Sequence, residues 1–227
     1  AGVRIAGAGA RGFPKRPMRL VFRTEYGPGR LRFPLFPGSP VEDFDTLNLR
    51  SGGHDSWVAP QTEDSGYIRD SFVRLTHQDL GQLSPQSKAV HLYINGRYWG
   101  MYFTTERPEE DFNASYLGGA PEDWDVLRTQ AAGQRPEAVS GDKEAWETVL
   151  EIAEQARSSQ PAYQELLEYV DIDNYIDSLI VRMFAADRDW AGSKNYFSAR
   201  NRNDGQFKFY TWDAEFTMGN TGHRVDE

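Results

Sequence analysis

Three polar side chains towards the end of the sequence have the types and spacing of an oxygen-rich metal site. Asn195 and Asp213 stand nine residues before and nine residues after Asp204, and Asp204-Gly205 is a strong signal for a hairpin turn. Such positions lie opposite each other in an antiparallel hairpin to within about one register step, and Asp189 stands on the segment leading to the same end. Because Mg²⁺ and Mn²⁺ prefer amide and carboxylate oxygens, the spacing predicts a divalent-metal site.

Each of these residues also has an ordinary structural interpretation. Asp189 could cap a turn, Asn195 could satisfy a loop amide, and Asp213 could form an ion pair. Taken singly, each residue favours the ordinary interpretation. Their shared position at one end of a hairpin is what favours a site.

The composition excludes several classes of function. The chain has 227 residues, 39% hydrophobic and 13% aromatic, which is enough for the packed core of one two-lobed domain or of two small domains. Its formal net charge of -9 argues against a general nucleic-acid binder, although a local basic pocket for one anionic ligand is compatible with it. With no cysteine in the chain, disulfides, thiolate metal sites and cysteine nucleophiles are excluded.

The sequence shows no targeting or membrane-spanning segment. No apolar run approaches the roughly 20 residues needed to cross a bilayer, and the first residues lack the charged-then-apolar pattern of a signal peptide. Because the chain also lacks an initiator methionine, we expect it to be a fragment of a longer protein. The compartment stays open.

The first part of the chain predicts mostly strands. Strands are expected at Val3 to Ala6 and at Met18 to Phe22, with a glycine-rich connection between them. A later strand should place Leu47 and Leu49 on one face. Asn95-Gly96, between two apolar runs, is the strongest short signal for a hairpin.

One helix is predicted within this part. Asp64 or Ser65 can cap its start, and Gly81 can end it. Its expected apolar face consists of residues at helical spacing, namely Ile68, Phe72 and Leu75.

After Pro108 the pattern becomes helical and then ends in the second hairpin. The longest helical stretch should break near Asp171, where Asp173 can cap the second of two helices. We therefore expect an α+β fold with a strand-rich part over 1–107 and a helical part over 108–227 that carries the polar hairpin.

Six stretches spread over the chain form a recognisable combination. They are "GVRIAGAGARGFPKRPMRLVF", "LNLRSGGHDSW", "YINGRYWGMYFTTERPEEDF", "DRDW", "NYF" and "KFYTWDAEFTMG". Together they resemble the CotH family, the spore-coat-associated atypical protein kinases. The similarity covers essentially the whole chain, and the combination is more specific than any single segment.

The resemblance implies a two-lobed protein-kinase-like fold, trimmed at both ends, with a strand-rich N-lobe and a helical C-lobe. It implies that ATP and Mg²⁺ or Mn²⁺ are cofactors and that the reaction is phosphoryl transfer to serine or threonine hydroxyls of a protein. It also suggests a spore coat, cell surface or secreted location. We expect no nucleic-acid partner and no transmembrane segment.

The resemblance also implies residue roles in the C-lobe. Arg188-Asp189 resembles the Arg-Asp of the kinase catalytic loop, and Asn195 resembles its metal-binding asparagine, although it stands six residues after Asp189 instead of five. Asp213 resembles the aspartate of Asp-Phe-Gly, and Glu215 replaces a second aspartate that is more usual in the family. On this hypothesis Asn195 and Asp213 hold the metal, and Asp189 orients the acceptor hydroxyl.

The implied nucleotide-binding residues lie in the N-lobe. Lys15 follows the glycine-rich turn and could bind phosphate as a point charge, or be an exposed lysine at a strand end. Its acidic partner would be Asp70 or Glu106. The remaining candidates are residues that could contact phosphate or adenine: Arg11, Arg50, Gly7, Gly9, Gly12, Tyr102 and Phe103.

Three other functions remain open. One is a catalytically inactive binding or coat-assembly module, which the shifted asparagine and Glu215 favour. Another is a glycoside hydrolase that uses two of Asp187, Asp189 and Asp213, although the lysine-bearing glycine-rich opening has no role in such an enzyme. The third is a surface adhesin, for which no residue gives direct support.

Overall fold

The computed structural model describes residues 1–59, 65–129, 134–190, 194–203 and 205–218. These residues form antiparallel strands and α helices, which confirms the α+β class. The chain divides into two compact units, one of Ala1–Phe72 with Pro85–Arg107 and one of Val73–Ser84 with Pro108–Glu227. Among the described residues, no helix has the length and apolar character needed to cross a membrane.

The first unit is built on a five-stranded antiparallel sheet in the order β1-β2-β5-β7-β6, beside a two-stranded ribbon of β3 and β4. The strands are β1 (Gly2–Ile5), β2 (Met18–Val21), β3 (Leu31–Arg32), β4 (Asp43–Phe44), β5 (Thr46–Arg50), β6 (Ser87–Ile94) and β7 (Arg97–Thr105).

The predicted strands of this unit are confirmed. Leu47 and Leu49 are both buried, and so is Asn48 on the opposite face, because β5 lies at the centre of the sheet. The β6–β7 turn has positive φ at Asn95 (52°) and Gly96 (78°), as the sequence signal for this hairpin requires.

The first helix, α1 (Arg69–Asp79), forms where expected, but its predicted apolar face is wrong. Ile68 and Leu75 are largely exposed, with 61% and 56% of their surface accessible. The buried side chains lie instead on the neighbouring stripe, and they are Asp70, Val73, Arg74 and His77. The apolar spacing failed as a guide because this helix buries polar side chains.

The ends of α1 explain its position. The Asp55 carboxylate accepts a hydrogen bond from the Arg69 N–H at 3.0 Å, so a residue distant in sequence serves the helix start. Ser65 donates instead to the Ser56 carbonyl, and the alternative cap Asp64 lies outside the described residues. Gly81 follows the helix with φ +87°, as predicted.

The second unit contains a four-stranded antiparallel sheet in the order β11-β10-β8-β9, together with α helices that follow Pro108 and the part of α1 from Val73 onward. Its elements are α2 (Glu110–Leu117), β8 (Trp124–Thr129), β9 (Glu137–Ser140), α3 (Glu144–Ala156), α4 (Gln160–Tyr169), α5 (Ile172–Phe184), β10 (Tyr196–Asn201) and β11 (Lys208–Thr211).

Strands β8 and β9 correct the expectation that the segment after Pro108 is helical up to the last hairpin. β8 is an inner strand, and its consecutive residues Val126 and Leu127 are both fully buried on opposite faces. A short strand buried on both faces has no alternating pattern, so its periodicity cannot be distinguished from that of a buried helix segment.

The two faces of this sheet carry separate cores. On one face, Val126 packs in a cluster with Phe112 of α2. On the other, Leu127 packs in a cluster with Val149 of α3. The sheet therefore lies between α2 and α3, and both of its faces are apolar.

The break between α4 and α5 is confirmed, but its cap is Asp171 and not Asp173. The Asp171 Oδ1 atom accepts a hydrogen bond from Asn174 N–H at 3.0 Å, and the Asp171 N–H donates to Phe207 O. Asp173 falls inside the first turn. The cap thus also fixes α5 to the segment before β11.

Candidate functional site

The register of the last hairpin places Asn195 and Asp213 within one step of each other. Tyr196 pairs with Thr211, so the register continues to Asn195 opposite Trp212, the neighbour of Asp213. Asp204, predicted at the turn, lies outside the described residues. The hairpin therefore brings its two polar ends together as the spacing predicted.

Arg182 of α5 fixes these two ends. Its Nη2 atom donates to Asn195 O at 2.6 Å and to Trp212 O at 3.3 Å, and its Nη1 atom donates to Asp187 Oδ2 at 2.6 Å. Arg182 is only 2% exposed. Sequence reasoning missed this residue, although an arginine inside the apolar run "LIVRMF" is a signal that a buried charge needs a partner.

Asp187 acts as the anchor of the loop that follows. Its carboxylate is 1% exposed and pairs with Arg182, and its Oδ1 accepts a hydrogen bond from the Asp189 N–H at 3.2 Å. Burial raises the pKa of Asp187, and the Arg182 charge opposes this rise. Asp187 therefore positions Asp189 and is unavailable as one of a pair of hydrolytic carboxylates.

Asp189 and Asn195 are in direct contact. The Asn195 Nδ2 atom donates to Asp189 Oδ2 at 2.8 Å and to Asp189 O at 3.1 Å. The Lys194 ammonium forms an ion pair with Asp189 Oδ1. The six-residue spacing thus still brings carboxylate, amide and ammonium into one cluster.

Arg188 contacts Phe216, which lies outside the cluster around Asp189. Its N–H donates to Phe216 O at 3.2 Å, and its guanidinium lies 5.9 Å from the Phe216 ring centroid. Arg188 therefore connects the loop to the segment just after Asp213.

Four non-glycine residues around this cluster have left-handed backbone conformations. Asn195 (φ 58°) and Asp213 (φ 61°) both do, as do Ala186 (φ 50°) and Met218 (φ 53°). Such conformations persist only where the surroundings impose them, and they concentrate at functional sites.

Glu215 lies in the buried part of the segment after β11. It is 8% exposed, and the neighbouring Ala214 packs in a cluster with Val73, Val181 and Ala185. The predicted metal residues are thus Asn195 and Asp213 at the hairpin end, with Glu215 two residues further along the chain.

A cation at this hairpin end would have few protein ligands. No group of three or more histidine and acidic side chains is arranged to hold a metal ion within the described part of the chain. Mg²⁺ typically takes one or two carboxylates and completes its shell with water and substrate phosphates. The residues present fit that mode of binding better than a closed protein cage.

In the first unit, Lys15 is held between two tyrosine rings. Its Nζ atom lies 4.8 Å from the Tyr67 ring centroid and 4.9 Å from that of Tyr102, and Tyr102 donates its hydroxyl to Arg16 O. Burial lowers the pKa of Lys15. The alternative interpretation of an exposed lysine at a strand end does not describe this environment.

The acids predicted to partner Lys15 have other contacts. Asp70 forms an ion pair with Arg50 at 3.5 Å, and both side chains are mostly buried. Glu106 is 3% exposed and accepts a hydrogen bond from the Gln86 N–H at 2.8 Å.

The glycine-rich candidates lie on an open turn. Gly7 has φ +81°, and a Cβ atom added at Gly9 or Gly12 would meet no atom within 4 Å. Arg11 is exposed on the same turn, whereas Phe103 is partly buried in β7 beside the fully buried Tyr102. Open space along the turn would allow a ligand to approach its backbone.

These features define an α+β protein with a polar loop-and-hairpin cluster held by a buried arginine. The chain matches the family described as CotH kinase protein over residues 3–227, and it belongs to this family. A comparison with curated proteins gave no significant match.

Proposed function

We propose that this chain is a CotH-like atypical protein kinase that transfers the γ-phosphoryl group of ATP to serine or threonine hydroxyls of a protein, with Mg²⁺ or Mn²⁺ as cofactor. The observation that carries the proposal is the Asp189–Asn195 contact, held by Arg182 at the hairpin end beside Asp213. Membership of the CotH kinase family supports it.

Each residue of the cluster has a role that its chemistry suits. Asn195 and Asp213 would supply oxygen ligands for a divalent metal ion, which would neutralise charge on the ATP phosphates. Asp189 accepts a hydrogen bond from the acceptor hydroxyl and orients it for attack. The hydroxyl proton leaves late in a loose transition state, so the carboxylate acts mainly by orienting the hydroxyl.

Lys194 extends this set. Its ammonium touches Asp189, the residue that orients the acceptor, so it would lie close to the phosphoryl group in transfer. A cation there stabilises the negative charge on the equatorial oxygens of the transition state. In the first unit, we separately assign Lys15, which follows the open glycine-rich turn, to phosphate binding.

One observation favours an inactive binding or assembly module as the second candidate. Asp189 Oδ1 is paired with Lys194 and Asp189 Oδ2 accepts from Asn195, so both carboxylate oxygens already have partners. An acceptor hydroxyl must compete with these contacts. A hydrolase that uses two carboxylates is less well supported, since Asp187 is buried against Arg182.

Transfer of radiolabel from ATP to a serine-rich protein acceptor, with Mn²⁺ present, tests the proposal. A kinase labels the acceptor on serine or threonine, and labelling stops when the metal is chelated. A thermal-shift measurement with ATP and Mn²⁺ on the same preparation separates the alternatives. Stabilisation without transfer would identify a nucleotide-binding module. The absence of both stabilisation and transfer would contradict the proposed function.

A further inference from the structure

The second unit contains a cavity of about 420 Å³ that the proposed function does not use. Its lining residues come from α3, α4 and α5, from strands β10 and β11 of the sheet, from the segment 134–136 before β9, and from Trp190 after α5. This volume falls within the range of about 300–1,000 Å³ that is usual for small-molecule pockets.

The walls of the cavity are mainly apolar and aromatic. Phe209 packs against Tyr175 with ring centroids 4.8 Å apart and against Trp146 at 6.0 Å, and all three line the cavity. Leu150 and Ala153 of α3 form another part of the wall. Such a surface fits an apolar body, either an acyl chain or a ring.

The polar groups on the walls are mainly hydrogen-bond donors. The Trp146 Nε1 atom is buried, and it has no acceptor among the described residues. Burial raises the pKa of Tyr175, and it raises the pKa of Tyr196 to about 12, so both phenols stay protonated at neutral pH. A ligand with an acceptor oxygen would satisfy the Trp146 N–H.

The charged side chains among the described lining residues of the cavity are both arginines. No aspartate or glutamate is among its described lining residues, although the chain has 34 acidic residues. Two arginines line it, and Arg182 is committed to Asp187. Arg135 is exposed and forms no ion pair with any described residue, so it can attract an anionic group to the opening.

We propose that this cavity binds an amphiphilic monocarboxylate, with the apolar body among the aromatic walls and the carboxylate at Arg135. The Trp146 N–H and the charge of Arg135 select an anionic acceptor over a neutral or cationic head group. The inference does not depend on phosphoryl transfer, since the cavity lies within one unit and its binding is measured without nucleotide.

Isothermal titration of the whole chain with decanoate, 3-phenylpropanoate and decylammonium tests the proposal. At least one of the two carboxylates should bind, and the better of them identifies the body as an acyl chain or a ring. Decylammonium should bind at least about tenfold more weakly than decanoate because it presents a cation to Arg135. Equal binding of the cation, or no binding of either carboxylate, would overturn the proposal.

Two variants locate the binding site. Arg135→Gln removes an exposed charge, and it should weaken carboxylate binding about tenfold. Arg157→Gln is the matched control, because Arg157 is an exposed arginine just after α3 that does not line the cavity. Trp146→Phe keeps most of the ring and removes the indole N–H, so it should also weaken binding. Unchanged affinity in both Arg135→Gln and Trp146→Phe would place any binding elsewhere.

Discussion

Arg182 and Asp187 form a fully buried ion pair, with 2.6 Å between Nη1 and Oδ2, at the base of the proposed catalytic loop. At the open end of the last hairpin, the same guanidinium also donates to the carbonyl groups of Asn195, just before β10, and Trp212, just after β11. One side chain therefore fixes the loop that carries Asp189 and the strand ends that carry Asn195 and Asp213.

Replacing Arg182 with leucine should destabilise the protein strongly. The change leaves the Asp187 carboxylate buried without its partner, which costs about 3–5 kcal/mol of the free energy of unfolding. The double variant Arg182→Leu with Asp187→Leu should lose less free energy of unfolding than Arg182→Leu alone, because neither charge of the pair is left buried without its partner. Urea denaturation measures both.

Arg157→Leu serves as the control for this pair. Arg157 and Glu154 form an ion pair in which both side chains are about three-quarters exposed. Its loss should change the free energy of unfolding by less than about 0.5 kcal/mol. A similar loss in Arg157→Leu and Arg182→Leu would show that burial of the Arg182 pair does not matter.

His77 should make stability depend on pH. It is fully buried, its ring nitrogens have no partner among the described residues, and burial lowers its pKa to about 4, with Arg182 adding to the shift and Asp177 opposing it. The unfolded state binds the proton at a higher pH, near the ordinary value of 6.5. The contribution of the neutral His77 ring to the free energy of unfolding is therefore complete above about pH 6.5, and it is lost as the pH falls towards 4.

The variant His77→Leu isolates this effect. Between pH 7 and pH 4, the free energy of unfolding of wild type should fall by on the order of 2–3 kcal/mol more than that of His77→Leu, since the variant has no imidazole to protonate. Urea unfolding at several pH values gives both curves. Parallel curves would mean that the buried imidazole does not titrate as described.

Asp189→Asn should separate binding from transfer. The amide can still contact Lys194 and Asn195, but it cannot orient the acceptor hydroxyl as a carboxylate does. Nucleotide affinity, followed with a fluorescent ATP analogue, should change little, while the transfer rate falls by about 10²–10⁴-fold. Loss of nucleotide binding instead would make Asp189 a metal ligand or a structural residue.

Lys15→Met should weaken nucleotide binding without destabilising the fold. The lysine ammonium lies between the rings of Tyr67 and Tyr102 and is partly desolvated, so an apolar side chain of similar length can replace it. We expect the free energy of unfolding either to stay the same or to rise by up to about 1 kcal/mol. A large loss of stability would show that Lys15 is a structural residue held by its cation–π contacts.

The sequence predicted best those features that local chemistry determines. Asn95-Gly96 predicted its hairpin because both positions adopt a positive φ, and the distances from Asp204 predicted that Asn195 and Asp213 come within one register step. The break near Asp171 followed from the helical spacing on either side of it.

The features that depend on tertiary packing were missed. β8 has both faces covered, so Val126 and Leu127 show no strand alternation. The buried side of α1 contains Arg74 and His77, which no apolar pattern reveals. The apolar run around Arg182 indicates a buried charge, but it does not identify its three acceptors, which lie 5, 13 and 30 residues further along the chain.

The transfer rate of Asp213→Asn relative to wild type tests the central claim most directly. With radiolabelled ATP, Mn²⁺ and a serine-rich acceptor, the transfer rate of the variant should be at least about a hundredfold lower, because one metal ligand loses its charge. Asp79→Asn, at an exposed aspartate on the last position of α1, should keep the wild-type rate. Transfer by Asp213→Asn at the wild-type rate would contradict the metal assignment, and no transfer by wild type would contradict the kinase itself.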